Sequence, residues 1–175
     1  MNEIKLGQVA GLKLSAIPSA IVGSIVLWVA LSGVAILWLK LPYATAVIGG
    51  LAATALHWAS EVVHQIGHAW AARRVGHPMT GIRFWGVLST SLYPPDEVSL
   101  PATIHIRRAL GGPVASLLLS TAAALVALAL RPFDGLPGWL AVFLFLHSFL
   151  VMTLGALMPL GFNDGSTLMR WWGKR

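Results

Sequence analysis

Four ionisable side chains, His57, Glu61, His64 and His68, follow one another at intervals of four, three and four residues inside an otherwise apolar stretch. On a helix, at about 100° per residue, they fall near 0°, 40°, 340° and 20°, within one arc of about 60°. Such a stripe is costly in an apolar helix unless it faces protein, water or metal. His64 and His68 stand four residues apart, which sets two imidazoles side by side, able to share one metal ion. In the sequence HExxH such a pair binds zinc, and the intervening Glu is the general base acting on the zinc-bound water. Here the five residues are His64, Gln65, Ile66, Gly67 and His68, so an amide occupies the base position.

A third ligand must come from elsewhere. The chain has no cysteine, so a metal site has to use His, carboxylate, Asn or backbone oxygen. Asp164 is the strongest candidate. It is the only acid after Asp134, and it follows a long apolar run in the sequence ALMPLGFNDG. Just past the helix-breaking Pro159 and beside Gly165, its carboxylate can turn back toward the histidines. Two His and one carboxylate leave a fourth zinc position open for water.

These residues need elements to hold them. Of the 175 residues, 57% are hydrophobic and 10% charged, with a mean hydropathy of +0.76. A soluble domain has about 25% charged residues, so a soluble enzyme or a nucleic-acid-binding domain is excluded and the membrane class fits. A bilayer needs about 20 apolar residues per span. Four stretches qualify, at about 17–39, 43–72, 109–130 and 137–158. The first is too long an apolar run for a cleavable signal peptide and has no clear cleavage site. Between the second and third spans, 75–106 carries glycines and prolines among β-formers (Ile82, Phe84, Trp85, Val87, Tyr93, Val98) and reads as a hairpin on the cytosolic face. Residues 4–14 read as a further short strand. The fold class is thus an α-helical integral membrane protein of about four spans with a small cytosolic β-element, in one domain over 1–175.

With four spans, the N-terminus, the 73–108 loop and the C-terminus share a side. That side holds Lys5, Lys13, Arg73, Arg74, Arg83, Arg107, Arg108, Arg170, Lys174 and Arg175, against Lys40 and Arg131 on the other. Basic residues favour the cytosolic side, which places both termini in the cytosol. The net charge of +6 is a matter of topology here, and no nucleic-acid motif or phosphate-binding glycine loop accompanies it.

The motifs together resemble the site-2 protease family of intramembrane zinc metalloproteases, in its small prokaryotic branch without PDZ or CBS domains. HQIGHAWAARRVGHP is similar to the family's zinc helix. Pro159 to Gly165 is similar to its second motif, in which Asp-Gly follows Pro and supplies the third ligand. Gly112, Pro113 and Ser116 resemble the Gly-Pro-x-x-Ser element between them, and IKLGQVAGLKLS resembles the N-terminal strand. The resemblance implies zinc on His64, His68 and Asp164, and support of site or substrate by Gly112, Pro113, Ser116 and Asn163. It also implies a prokaryotic cytoplasmic membrane surrounded by lipid, and cleavage of the transmembrane segment of another protein. Two positions depart from the pattern: Gln65 replaces the catalytic Glu, and Ala156 stands where Asn is frequent.

A Gln amide cannot take up a proton at neutral pH, so zinc binding should survive and turnover should fail. Three explanations stand open: a deliberate Glu-to-Gln replacement, a natural pseudoprotease that binds or sequesters membrane partners, or Glu61 as a displaced base or hydrogen-bond partner of a ligating His. A di-iron oxidase would need several His clusters, and one is present. His57 and His147 read as buried hydrogen-bonding histidines, and His77 and His105 as ordinary loop residues. Gly111, Gly112, Ser116 and Ser120 offer a small face for close helix packing. The strand at 82–88 offers interfacial anchoring at Phe84 and Trp85, or an edge to which an extended substrate adds.

Overall fold

Proline and charge punctuate the chain. The computed structural model describes residues 3–133 and 135–174; Asp134 and Arg175, both used above, lie outside them. Strands β1 (Ile4–Val9) and β2 (Leu12–Ala16) come first, then helix α1 (Ser19–Leu37) after Pro18 and helix α2 (Tyr43–Arg74) after Pro42. Strands β3 (Gly81–Trp85) and β4 (Leu88–Leu92) precede helix α3 (Ala102–Leu130), which opens after Pro101. Helix α4 (Leu136–Leu146) runs on as a π-helical stretch (His147–Gly155), and helix α5 (Asp164–Trp171) closes the chain. Arg73 and Arg74 end α2, where cations suit the negative end of the helix dipole.

Among the described residues, four helical segments are long and apolar enough to cross a membrane: Ser19–Leu37, Tyr43–Arg74, Ala102–Leu130 and Leu136–Gly155. The chain is an integral membrane protein on that count. α2 is the central one: 44% of its most apolar stretch is buried inside the protein, against 17–22% for the others. α2 and α3 touch at Gly67 and Gly111, where a Cβ on either would run into the other's backbone carbonyl. The small-residue face expected on α3 therefore does what such faces do between apolar helices.

The boundaries differ from the sequence reading in three places. α3 begins at Ala102, because the helix continues through Arg107 and Arg108, where an apolar-run criterion stops; the β-loop accordingly ends at Pro101 rather than 106. The N-terminal strand is a hairpin, turning at Ala10 and Gly11, both with positive φ. The fourth span stays helical to Leu157, but His147–Gly155 within it is π-helical.

The four strands form one sheet in the order β1-β2-β3-β4. β1 and β2 are antiparallel, β2 and β3 parallel with Leu14 opposite Ile82, and β3 and β4 antiparallel with Ile82 opposite Ser91. Leu12, Ile82 and Phe84 pack on Ala69 and Ala72 of α2, with Trp58 against the same cluster. The β3–β4 hairpin consequently lies alongside α2, not merely over its end. The Val87 carbonyl at its tip accepts a hydrogen bond from His57 Nε2 at 3.0 Å. From Arg74 back to His57 is about 25 Å of helix.

Candidate metal centre

α2 delivers two imidazoles to one point, and the C-terminal segment delivers a carboxylate. His64 Nε2 lies 3.0 Å from His68 Nε2 and 3.2 Å from Asp164 Oδ2, and His68 Nε2 lies 3.4 Å from Asp164 Oδ1. Among the described residues these three form a group that could hold a metal ion. His64 and His68 are buried and Asp164 half-buried.

Both outer nitrogens have partners, and for His68 the partner fixes the tautomer. His68 Nδ1 lies 2.8 Å from the Arg108 carbonyl oxygen, which can only accept, so Nδ1 carries the hydrogen and Nε2 keeps its lone pair. The Gly112 N–H is further from that nitrogen, at 3.2 Å. His64 Nδ1 lies 2.8 Å from Ser116 Oγ, a hydroxyl able to accept the Nδ1 hydrogen. Holding the far nitrogen is how proteins orient metal-binding histidines.

The donor set fits a tetrahedral cation. Two lone pairs and a carboxylate brought this close repel unless positive charge sits between them. Ligand atoms about 2.0–2.1 Å from a tetrahedral zinc lie about 3.3 Å from one another; the two ring nitrogens are 3.0 Å apart, and each has a different Asp164 carboxylate oxygen at 3.2 or 3.4 Å. Room is provided by α3: a Cβ on Gly112 would collide with the Nε2 atoms of both histidines. Next to it, Pro113 sits inside α3 and is buried.

Asp164 is aimed from behind. Asn163 caps α5, its Oδ1 accepting from the Ser166 N–H at 3.3 Å, while its Nδ2 donates to the carbonyls of Gly155 and Met158 at 3.1 and 2.6 Å. One side chain thus ties the start of α5 to the end of the π-helical stretch. π-Helical turns are frequent at functional sites, and Met152 and Gly155 of this one line the same cavity.

The cavity holds about 680 Å³ and is bounded by α2, β4, α3 and the C-terminal segment. Gln65 lies on its β4 side. The Gln65 side-chain N–H donates to Ser89 Oγ at 3.0 Å, and its Oε1 accepts from Ser91 Oγ at 2.6 Å. Ser89 in turn donates to Glu61 Oε2. Glu61 is therefore bonded to β4, and among the described residues no hydrogen bond joins it to a ligating His. Ser89 and Ser91 alternate with Leu88, Thr90 and Leu92, so period two turns the serines to α2.

At the mouth, Glu97 pairs with Arg108, with Nη1 2.9 Å from Oε2. The Arg108 guanidinium also donates to the His77 carbonyl at 2.6 Å and lies 4.0 Å over the Tyr93 ring. The hydrogen bond from Arg108 holds the Glu97 carboxyl below its ordinary range. The other expected residues fall elsewhere. His57 and His147 pair with each other, with Nδ1 and Nε2 3.2 Å apart, and His105 stacks on Trp171 at 4.3 Å. Sequence reasoning missed Ser89, Ser91 and Arg108. Only the period-two serines of β4 carried a signal, and only once a partner helix was known.

Fold and site together define a membrane-embedded protein with a His-His-Asp donor set inside its helices. No family model matches the chain, and no curated protein matches it in sequence. In structure it is similar to the site-2 protease from Methanocaldococcus jannaschii, with a TM-score of 0.63 at 18% identity over 97% of this chain and 70% of that one. That likeness is one of fold, and at this level the resemblance read from the motifs is borne out.

Proposed function

We propose that the protein is a site-2-protease-like intramembrane metallopeptidase scaffold, with zinc on His64, His68 and Asp164, acting on transmembrane segments of other proteins. The observation that carries the reading is the convergence of two imidazoles and a carboxylate that could hold one metal ion, beside a cavity bordered by an edge strand. Bound zinc would polarise a peptide carbonyl and bring the pKa of water to about 7. The chain's own residues supply the rest. Ser116 and the Arg108 carbonyl hold the imidazoles. Asn163 holds the carboxylate. The free edge of β4 would pair with a substrate strand, extended because a helical peptide bond is shielded from attack. The basic-residue asymmetry supports cytosolic termini in a prokaryotic cytoplasmic membrane and a site opening toward the cytosol.

Gln65 sets the activity. It has no proton to move, and a positioned acid–base group contributes about 10²–10⁴-fold. Hydrolysis by this chain is therefore blocked or slow. Gln65→Glu, loaded with zinc, is expected to cleave a transmembrane peptide that the parent chain leaves intact. A folded, zinc-loaded Gln65→Glu protein that cuts no such peptide would sink the protease reading.

One observation favours a second reading, a pseudoprotease that binds membrane partners without cutting. Both ends of the Gln65 amide are hydrogen-bonded to β4, so this residue suits its surroundings as an amide. That reading expects crosslinks to a transmembrane partner that persist in His68→Ala.

A further inference from the structure

α5 and the residues that flank it leave large apolar side chains exposed. Phe162 is 70% exposed, Met169 68% and Trp172 74%. Met169 lies on α5, Trp172 caps its C-terminal end, and Phe162 lies just ahead of it. The inner side of α5 is committed to the protein: Trp171 stacks on His105 of α3, and Gly165 is buried. Charge accompanies the apolar face. Arg170 and Lys174 are exposed, and the Lys174 Nζ lies 5.4 Å from the Trp171 ring. Arg107, near the start of α3, is exposed as well. The single acidic residue between Leu157 and Lys174 is Asp164, which is turned in toward the histidines.

Apolar anchors, aromatic rings and cations on one short amphipathic helix are what a bilayer interface with anionic lipid recognises. We propose that the segment from Leu160 to Lys174 is a binding site for acidic phospholipid, lying in the interface with Met169 and Trp172 in the acyl boundary and Arg170 and Lys174 on headgroup phosphates. α5 begins with Asp164. Lipid on its outer face therefore presses the helix onto α3 and holds the carboxylate on His64 and His68, so that acidic lipid strengthens metal retention. This second half rests on the proposed metal centre; the first half does not.

The chain's lack of cysteine makes a clean test. Met169→Cys introduces a unique thiol for a spin label in the full-length protein. The protein is reconstituted in phosphatidylcholine vesicles with and without phosphatidylglycerol. The label should be accessible to oxygen and shielded from a water-soluble nickel chelate when phosphatidylglycerol is present. A label open to the nickel chelate in those vesicles overturns the proposal. Dipolar broadening between labels would mean that a second copy covers this face, and overturns it too. In parallel, zinc retained against a chelator is measured in unlabelled protein. Phosphatidylglycerol should raise retention, and Arg170→Gln with Lys174→Gln should remove most of that rise, since each cation near an anionic surface contributes about five-fold to lipid attraction. A correctly seated label with retention indifferent to lipid refutes the coupling alone. Absence of zinc in every vesicle refutes the metal centre and leaves the label result standing by itself.

Discussion

His64 and His68 bring two ring nitrogens to 3.0 Å of each other, and His57 and His147 bring two to 3.2 Å. The spacing is nearly the same and the chemistry is opposite. In the first pair the outer nitrogens rest on Ser116 and the Arg108 carbonyl, and both inner nitrogens face a carboxylate. In the second pair the Val87 carbonyl takes the His57 Nε2 hydrogen. His57 Nδ1 is left as an acceptor, and the His147 Nε2–H donates to it. The His147 ring stacks on Phe143 at 5.4 Å. One pair has lone pairs to spare and an anion beside it. The other uses its contacting lone pair within the protein and ties hairpin tip, α2 and α4 together. A metal site is thus defined less by histidine spacing than by what the far nitrogens are doing.

The largest effect that sharpens this contrast is at the site's base position. Gln65→Glu should raise peptide hydrolysis by about 10²–10⁴-fold, whereas no substitution at His57 or His147 should create activity; a peptide cleavage assay on zinc-loaded protein checks both. Next comes the orientation of the ligands. Ser116→Ala removes the partner of His64 Nδ1 and should weaken zinc binding by about 10–100-fold, measured by chelator competition. His57→Ala should do the reverse. It leaves the Val87 carbonyl without its donor, lowers stability by about 1–3 kcal/mol in a thermal melt in detergent, and leaves zinc content unchanged.

The smallest effect is at the cavity mouth. Arg108 lowers the folded-state pKa of Glu97. The ion pair therefore stabilises the fold above the carboxyl's unfolded value, about 4.3, and is lost as pH falls through the folded value. The stability difference between the parent chain and Glu97→Gln should be present at neutral pH and close in the acid range. A difference that persisted there would mean that the Glu97–Arg108 ion pair is not its source.

Much of this was legible in the sequence because it depends on local periodicity. Four and three residues along a helix put His57, Glu61, His64 and His68 on one face, and length with apolarity marked the spans. Asp164 was legible as an acid after a helix-breaking proline. The partners of those groups were not legible, since each comes from a different element. Ser89 and Ser91 reach Glu61 and Gln65 only because β4 lies along α2, and His147 meets His57 across 90 residues of chain. The start of α3 escaped for another reason: Arg107 and Arg108 end an apolar run without ending a helix, and Arg108 is buried against Glu97 and Tyr93.

The central claim is that His64, His68 and Asp164 hold one zinc ion and that the neighbouring histidine pair holds none. Metal content of protein purified in detergent without chelator tests it directly. About one zinc per chain is predicted for the parent and for His57→Ala, and none for His68→Ala or Asp164→Ala. Zinc retained in both of the latter, or absent from the parent under zinc-replete conditions, would contradict it.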